Sequence, residues 1–482
     1  MSAHRLLVIT YHFGSNGAVG GLRWTGITKY LVRLGWEVRV ITAAPPPPGD
    51  ASVESCPRFW TILDACRLLR RLAVRQSLAS FPDGSWSAPG PEPQGFLGKV
   101  RSEVAAFLAF PDESRGWVFR AALRARSVIR RFQPHVVVSS GPPHSAHLVA
   151  GMATAGIATR WLIDLRDPWG GPLEQAWASH ARIGTGVFRT LSPLLERLAF
   201  RASDGVITNA QQLAAVLTER YPDVPVVCVP NGVDPEGLPG RAPRPYVGLG
   251  VAYTGTLYAG RDLGPVVQAL RLFLARHPDA ARAGSKLRIA GRAEVPHARA
   301  FRAAVAAAGM APHVEVLGAL SRPEAMNVLS RSHLAVVLAQ EQELQIPAKL
   351  YESVAMGIPT LVVAPATSAA AVEGARVGAV VCDPADVERM AGLFEDLWRD
   401  GARAWPPCRV PISYDGIAVQ VDRLLRNGHA PASAGARVGG GSLPLTVCEP
   451  VIAPLQPIRS SRADSAGTGD RTIDPPCGGR RA

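Results

Sequence analysis

Short runs of consecutive apolar residues recur along the first half of the chain, and stretches with helical spacing separate them. LLVITY, WEVRVITA, HVVVSSG, RWLIDLRD and DGVITN are such runs, while TGITKYLVRLG and SAHLVAGMATAG carry the helical pattern. Strands that are apolar at nearly every position are typical of parallel sheets buried on both faces. The pattern therefore predicts a parallel sheet covered by helices.

The second half of the chain repeats this pattern with PVVCVPNGVD, VGLGVAYTGTLY, KLRIAG, HVEVLG, SHLAVVLA and IPTLVVAP. We predict an α/β protein with two Rossmann-like parallel-sheet domains, residues 1–226 and 227–426, that face a central cleft. Sequence rich in Pro, Gly, Ser and Trp forms an irregular insertion at 45–116. Residues 427–482 lack periodicity and enough apolar surface to offset their ordering entropy, so they are predicted to be a disordered tail.

Composition narrows the function classes. The 482 residues are 47% hydrophobic and 19% charged, as in soluble globular proteins of two or more domains. The net charge of +13 comes mostly from scattered arginines, with no basic patch interleaved with aromatics, so we predict no nucleic-acid partner. The seven separated cysteines support neither a zinc site nor a disulfide framework. A strand begins almost at once, leaving no room for a signal peptide, and we expect a cytoplasmic protein.

The first strand ends in a glycine-rich loop, VITYHFGSNGAVGGLRW. Its glycines do not match the Gly-x-Gly-x-x-Gly pattern of dinucleotide sites, and the second strand ends VITAAPPPP without an acid for a ribose. This argues against NAD or FAD. The loop still follows the carboxyl end of a strand, where parallel sheets place their ligands. A plain flexible connector is the alternative interpretation.

The motifs GGLRW, FPDESRGW, SSGPPHSAHL, LIDLRDPWG, VITNAQQL, VPNGVD, YTGTLYAGRD and IPAKLYESVAMGIPTL occur in this order. This ordered set, spanning residues 5–425, resembles the GT-B glycosyltransferases of family 4, most closely the branch that builds bacterial surface polysaccharides. The resemblance implies retaining transfer of a sugar from a nucleoside diphosphate sugar to a hydroxyl. The donor would lie on the C-terminal domain and the acceptor on the N-terminal one. It also implies no metal and no cofactor beyond the donor, in agreement with the lack of an Asp-x-Asp strand end.

IPAKLYESVAMG places Lys349 in the first turn of a helix and Glu352 about one turn later. The resemblance implies that Glu352 accepts hydrogen bonds from the donor ribose. The alternative is a surface pair of Lys349 and Glu352, which would stabilise the helix only slightly. The family's Glu-x7-Glu pattern would place an acid at position 344, where this chain has Leu344.

YTGTLYAGRD supplies further donor-side candidates. The resemblance implies that a basic residue here, Arg261, binds the diphosphate, for which a guanidinium offers a bidentate grip. Pairing of Arg261 with Asp262 alone is the other interpretation. The remaining predicted donor-binding residues are strand-end or base-pocket positions, namely Gly255, Thr256, Gly291 and Leu320.

Three residues on the N-terminal side are catalytic candidates, because they follow predicted strands: His144, Arg166 and Asp167. Many relatives carry a histidine where Arg166 lies. Arginine cannot act as a base, so Arg166 would hold a phosphate or fix Asp167. The alternative interpretation is an ion pair of Arg166 and Asp167 with a structural role only. The leaving phosphate can itself take the acceptor's proton, so the mechanism does not need a protein base.

Two features bear on the acceptor. Gly20 and Gly21 are predicted to line the cleft, with Arg23 meeting an anionic acceptor or the donor phosphate. Residues 117–132 form a basic amphipathic stretch, which suits either contact with an anionic membrane and a lipid-linked acceptor or a helix packed on its sheet with solvated arginines.

Two rival functions fit the same fold. A sugar-nucleotide 2-epimerase would need carboxylates and a histidine around the donor sugar, and the sequence supplies few. A catalytically inactive sugar-nucleotide-binding scaffold gains weight from Leu344 and Arg166.

Overall fold

A computed structural model describes residues 4–14, 19–46, 50–62, 64–65, 95–170, 186–242, 245–257, 260–291, 295–406 and 412–427. Most of the predicted tail and residues 66–94 of the predicted insertion lie outside these described residues. No helix within the described ranges is both long and apolar enough to cross a bilayer.

The first sheet is parallel throughout and has seven strands among the described residues. They are β1 (His4–Thr10), β2 (Trp36–Thr42), β3 (Val53–Ser55), β4 (Val136–Gly141), β5 (Arg160–Leu165), β6 (Gly205–Thr208) and β7 (Val226–Cys228), in the order β3-β2-β1-β4-β5-β6-β7. The helices along this part of the chain are α1 (Val19–Arg33), α2 (Gly95–Ala109), α3 (Val118–Phe132), α4 (Ser145–Thr154), α5 (Gly186–Ala202) and α6 (Gln211–Arg220).

The second sheet is also parallel. Its strands are β8 (Gly250–Thr254), β9 (Lys286–Ala290), β10 (Val314–Gly318), β11 (Leu334–Leu338), β12 (Thr360–Val363) and β13 (Val380–Cys382), in the order β10-β9-β8-β11-β12-β13. The helices along this part of the chain are α7 (Gly264–Arg276), α8 (Pro278–Arg282), α9 (Val295–Ala307), α10 (Arg322–Ser330), α11 (Lys349–Ala355), α12 (Ala369–Val377), α13 (Val387–Asp400) and α14 (Tyr414–Arg426).

These two parallel sheets confirm the predicted GT-B architecture of two Rossmann-like domains. Strands β4, β8 and β11 are buried at every position, as expected for strands covered on both faces. The predicted division at residues 226 and 227 falls inside β7, which pairs with β6 and so belongs to the first sheet. The short strands β3 and β13 extend the sheet edges and were not predicted.

Alternating residues of β1 and β4 pack into two separate cores. Leu7 and Val137 face the core that includes α3 and α4, while Leu6 and Val138 face the core that includes α1 and α14. Helix α14 therefore completes the first domain, although it follows the second sheet in the chain. A Cβ atom on Gly26 of α1 would lie 2.1 Å from the Tyr414 ring, so α1 and α14 meet in close contact.

Helix α3 covers the basic amphipathic stretch at 117–132. Its predicted apolar side, including Val118, Ala121, Ala125 and Val128, is buried in the core of the first domain. This stripe packs on the sheet, so it is not available to a membrane.

Candidate active site

Gly255 and Gly291 lie directly after the carboxyl ends of β8 and β9. We call this part of the second sheet the glycine edge. Gly255 follows β8 and donates its N–H to the Ala290 carbonyl at 2.8 Å, and Gly291 donates to the Gly318 carbonyl at 2.7 Å. A Cβ atom on Gly291 would lie 1.8 Å from the Gly255 carbonyl oxygen, and one on Gly255 would lie 1.8 Å from Lys349 Nζ. Only glycine allows this close approach, which brings the Lys349 ammonium onto the strand ends.

Lys349 and Arg261 place two cations at this glycine edge. Lys349 begins α11, and its Nζ lies 5.6 Å from the centroid of the Tyr253 ring. Burial and, to a smaller extent, the charge of Arg261 lower the pKa of Lys349 to about 7, while Glu352 acts in the opposite direction. Arg261 Nη2 donates to Gln342 Oε1 at 3.1 Å. A bound anion would relieve both the desolvation and the repulsion between the two cations.

Glu352 pairs with Arg322 rather than serving as a surface partner of Lys349. Arg322 Nη2 donates to Glu352 Oε1 at 2.6 Å, and Glu352 is buried. A capping box formed by Ser321 and Glu324 fixes the start of α10, and so the position of Arg322 in its first turn. Sequence analysis missed Arg322, because its contact with Glu352 spans 30 positions and depends on the packing of α10 beside α11.

The predicted catalytic residues of the first domain lie together after β4 and β5. Arg166 donates from Nε to the Gly141 carbonyl at 3.0 Å and from Nη2 to the Pro142 carbonyl at 2.7 Å. A Cβ atom on Gly20 would lie 3.2 Å from Arg166 Nη2, so the loop glycine borders this guanidinium. Gly21 packs against the backbone of the preceding loop, where a Cβ atom would lie 3.0 Å from the Gly14 carbonyl oxygen.

Asp167 joins the two halves of the site. Its burial raises the pKa of the carboxyl group, while Arg166 and a hydrogen bond from Gln345 act in the opposite direction. The charge of Arg261 also acts on Asp167, which places the donor-side cation near the acceptor-side acid. Candidates from both sheets therefore converge where the carboxyl ends of the sheets meet.

His144 lies in an aromatic cluster beside Arg166. Its ring stacks on Trp169 with centroids 5.1 Å apart and planes 14° apart. Burial holds the pKa of His144 well below its ordinary value, and His147 and Arg166 lower it further. The imidazole is therefore neutral near pH 7, and its buried Nδ1 has no hydrogen-bond partner among the described residues.

His12, in the opening loop, is a neighbour of Arg166 that sequence analysis did not select. Burial and, to a smaller extent, the charge of Arg166 lower the pKa of His12 to about 4. The sequence could have pointed to His12 through its position in YHFG, directly after β1, where parallel sheets place their ligands. A neutral imidazole at this point can accept or donate a hydrogen bond without adding charge.

Arg23 was predicted to meet an anionic acceptor or the donor phosphate, but the structure places it inside the protein. It is buried and pairs with Asp164 at 3.1 Å, and its other donors bond the Val229 and Pro230 carbonyls and the Asn231 side chain. Trp24 and Ser140 donate to the same carboxylate. Because protein groups engage its guanidinium, Arg23 ties α1 and β5 to the segment after β7 instead of meeting an anionic substrate.

The remaining predictions concern the rim of the site. Leu344 packs against the core, and neighbouring Glu341 and Glu343 are exposed, so no acid of this segment takes the expected position. Buried Gln342 and Gln345 reach Arg261 and Asp167 instead. Thr256 is exposed after β8, and Leu320 packs beside a small core cluster near α10. In the part of the chain that the structure describes, no three metal-ligating side chains converge.

Two family models cover most of the chain. Glycosyltransferase Family 4 matches residues 21–236, and Glycosyl transferases group 1 matches residues 253–400. The chain belongs to the GT-B glycosyltransferases of family 4. The predicted family is thereby confirmed, while the roles of individual site residues in this glycosyltransferase stay predictions. No curated protein matches the chain in sequence.

Solved structures share the fold of this glycosyltransferase at low sequence identity. A sucrose-phosphate synthase from Thermosynechococcus elongatus is 12% identical, with a TM-score of 0.58 over 88% of this chain and 98% of its own. An α,α-trehalose-phosphate synthase (UDP-forming) from Burkholderia vietnamiensis is 14% identical, with a TM-score of 0.55 over 89% and 94%. Alr3699/HepE from Anabaena, solved in complex with UDP and glucose, is 13% identical, with a TM-score of 0.54 over 88% and 100%.

Proposed function

We propose that this glycosyltransferase moves a hexosyl or related sugar from a nucleoside diphosphate sugar to a hydroxyl acceptor, with retention of configuration and without a metal ion. The observation that carries the proposal is the convergence of Lys349 and Arg261 on the glycine edge of the second sheet. A desolvated lysine and a neighbouring arginine beside strand-end backbone suit a diphosphate, which needs charge neutralisation as it leaves. The UDP held by a structure of the same fold agrees with this ligand class.

Glu352 is the proposed ribose contact. Its carboxylate lies about one helical turn from Lys349, and Arg322 orients it through the bond at 2.6 Å. A carboxylate fixed in this way can accept hydrogen bonds from the ribose hydroxyls while Lys349 meets the phosphates. In this arrangement Arg322 is a positioning residue.

The transfer step needs no base from the protein. The bond from the acceptor oxygen to the anomeric carbon forms on the face from which the diphosphate leaves, and the acceptor proton passes to the leaving phosphate oxygen. Arg166 stays protonated and so stabilises negative charge rather than removing a proton. Asp167 and neutral His144 orient the acceptor hydroxyl beside it.

Thermal unfolding with UDP, GDP, ADP or dTDP and no added metal tests the donor site. A nucleotide at about one hundred times its dissociation constant stabilises the folded state by about 2.7 kcal/mol. We expect one nucleotide to raise the Tm of the wild type and to lose this effect in Glu352→Ala. Glu388→Ala, which removes an exposed partner of Arg276, is the matched control. No shift with any nucleotide would contradict the proposed donor site.

Turnover separates the enzyme alternatives. Transfer of a labelled sugar to an acceptor supports the glycosyltransferase, whereas epimerisation of the donor without an acceptor would support a sugar-nucleotide 2-epimerase.

We further propose that the reaction takes place in the cytoplasm and serves surface polysaccharide or glycolipid synthesis, with a sugar or lipid-linked acceptor. The neutral side chains of Gln342, Leu344 and Gln345 distinguish this site from one with a paired acid, since the acids of the same segment, Glu341 and Glu343, are exposed.

A further inference from the structure

A short segment of the second domain contacts three consecutive residues of the loop that carries Arg261. The loop lies between β8 and α7, and the segment lies between β11 and α11. It consists of Gln340, Glu341 and Gln342, which we call the brace. Strands β8 and β11 are parallel neighbours, so their carboxyl ends lie side by side. The brace therefore reaches the Arg261 loop from the adjacent strand.

Gln340 holds this loop by its backbone. The side-chain Oε1 accepts from the Asp262 N–H at 2.8 Å, and Nε2 donates to the Asp262 carbonyl at 2.7 Å. One side-chain amide thus bonds both backbone polar groups of a single residue, 78 positions away in sequence. Because Asp262 follows Arg261 directly, this pair of bonds fixes the backbone from which the arginine side chain extends.

Glu341 lies against the residue that precedes Arg261. Gly260 has a φ of +80°, and a Cβ atom on it would lie 2.7 Å from Glu341 Oε2 and 3.2 Å from Glu341 Cβ. Both the left-handed backbone and the close approach favour glycine at this position. The Glu341 side chain therefore packs on the backbone that leads into Arg261.

Gln342 contacts the guanidinium itself. Arg261 Nη2 donates to Gln342 Oε1 at 3.1 Å, and Gln342 is buried. An amide oxygen orients a guanidinium without adding negative charge, so it does not compete with a phosphate as a carboxylate would. The brace thus holds Arg261 without neutralising it.

The end of the loop that meets α7 is anchored separately. Asp262 Oδ1 accepts from the Gly264 N–H at 2.8 Å, in the first turn of α7, and Leu263 is buried in the core of the second domain. The brace acts on the part of the loop just before this anchor, at Gly260, Arg261 and Asp262. Brace and anchor together fix the loop from both sides.

We propose that the brace positions Arg261 for the leaving diphosphate, and that Gln340 is the residue that fixes the loop backbone. A side chain carried on a loop binds a charged group well only when further contacts hold it in place. Gln340 acts through Arg261 and is therefore a positioning residue. This inference rests on the proposed function, since it concerns how a cation of the proposed donor site is held.

Hydrogen exchange in the free protein tests the contact. Gln340→Leu keeps the approximate size of the side chain and removes both hydrogen bonds, so the Asp262 amide should exchange about tenfold faster than in the wild type. Gln340 is only partly buried, so this variant leaves no cavity in the core. Gln420→Leu, the same change at an exposed position of α14, is the control and should leave this exchange unchanged. Unaltered exchange at Asp262 in Gln340→Leu would overturn the contact.

Calorimetry with the nucleoside diphosphate that raises the Tm tests the role of this contact. We expect Gln340→Leu to bind it about tenfold more weakly than the wild type, and Gln420→Leu to bind it equally well. In an Arg261→Met background, Gln340→Leu should cause no further loss, because Gln340 acts through Arg261. A general loss of structure would instead weaken binding in both backgrounds.

Two binding results would overturn the role of the brace. These are wild-type affinity in Gln340→Leu, and a further tenfold loss when Gln340→Leu is added to Arg261→Met. A wild type that binds none of UDP, GDP, ADP and dTDP would overturn the donor site itself, and with it the purpose of the brace. Failure of the brace alone and failure of the donor site are therefore distinct observations.

Discussion

Gln345 of the second domain lies beside Asp167 of the first, since a hydrogen bond from its side chain opposes the rise in the Asp167 pKa that burial causes. Asp167 follows β5 of the first sheet, whereas Gln345 precedes α11 of the second. This bond joins the acceptor-side candidates to the loop that also contacts Arg261 through Gln342. The structure thus describes the two halves of the site in contact.

This contact has a measurable energy. In a double-mutant cycle of Asp167→Ala and Gln345→Ala, we expect a coupling of about 1.5–3 kcal/mol in urea unfolding, as for a hydrogen bond to a charged group. The matched cycle on the exposed pair Arg276 and Glu388 should give less than about 1 kcal/mol. A coupling near zero for Asp167 and Gln345 would show that the two sheets are apart in solution.

Donor binding should depend on pH through Lys349. Because the pKa of Lys349 in the free protein is about 7, the side chain is charged below this pH and neutral above it. Affinity for the responsive nucleoside diphosphate should therefore fall from pH 6 to pH 9, with proton uptake on binding, by calorimetry in buffers of different ionisation enthalpy. Lys349→Met should bind weakly at every pH, while Lys99→Met, on the exposed side of α2, should behave as the wild type.

Lys349 should also make the stability of the free protein depend on pH. Its pKa is about 7 when folded and 10.5 in the unfolded reference, so the unfolded chain binds more protons between these values. The free energy of unfolding contributed by this residue therefore rises with pH from about 7 to 10.5. Urea unfolding of Lys349→Met should lack this rise relative to the wild type. Parallel pH curves for the two proteins would contradict the lowered pKa.

The network around Asp164 should carry much of the stability of the first domain. Asp164→Ala leaves the buried guanidinium of Arg23 without its carboxylate, which should lower the free energy of unfolding by about 3–5 kcal/mol. Asp396→Ala removes an exposed pair with Arg399 and should lower it by less than about 1 kcal/mol. Equal losses in the two variants would place Arg23 in contact with solvent.

Sequence periodicity predicted the long strands because burial on both faces makes every position apolar, as in β4 and β11. Strands β3 and β13 have three residues each and were missed, although the equally short β7 was predicted within the run PVVCVPNGVD. Lys349 and Glu352 could be selected from one local motif on one helix. Contacts such as Arg322 with Glu352 depend on how separate helices pack, which no local spacing encodes.

Arg23 illustrates a second limit of sequence analysis. A cation in a glycine-rich stretch suggests an anionic ligand, but the structure supplies Asp164 from β5, 141 positions away. The same holds for α3, whose apolar stripe is explained by its own sheet while the side chains between the arginines face outward. Periodicity shows that a helix has two sides, and only the fold decides which side is covered.

The position of α14 determines when the first domain can be completed during synthesis. Its Tyr414 closes over Gly26 of α1, and Arg160 of β5 donates to the Leu424 and Leu425 carbonyls. A ribosome must therefore translate the whole second sheet before the first domain gains its final layer. A nascent chain that stops after β7 would leave the apolar face of α1 open to water. The two domains thus mature together, although their sheets are consecutive in the sequence.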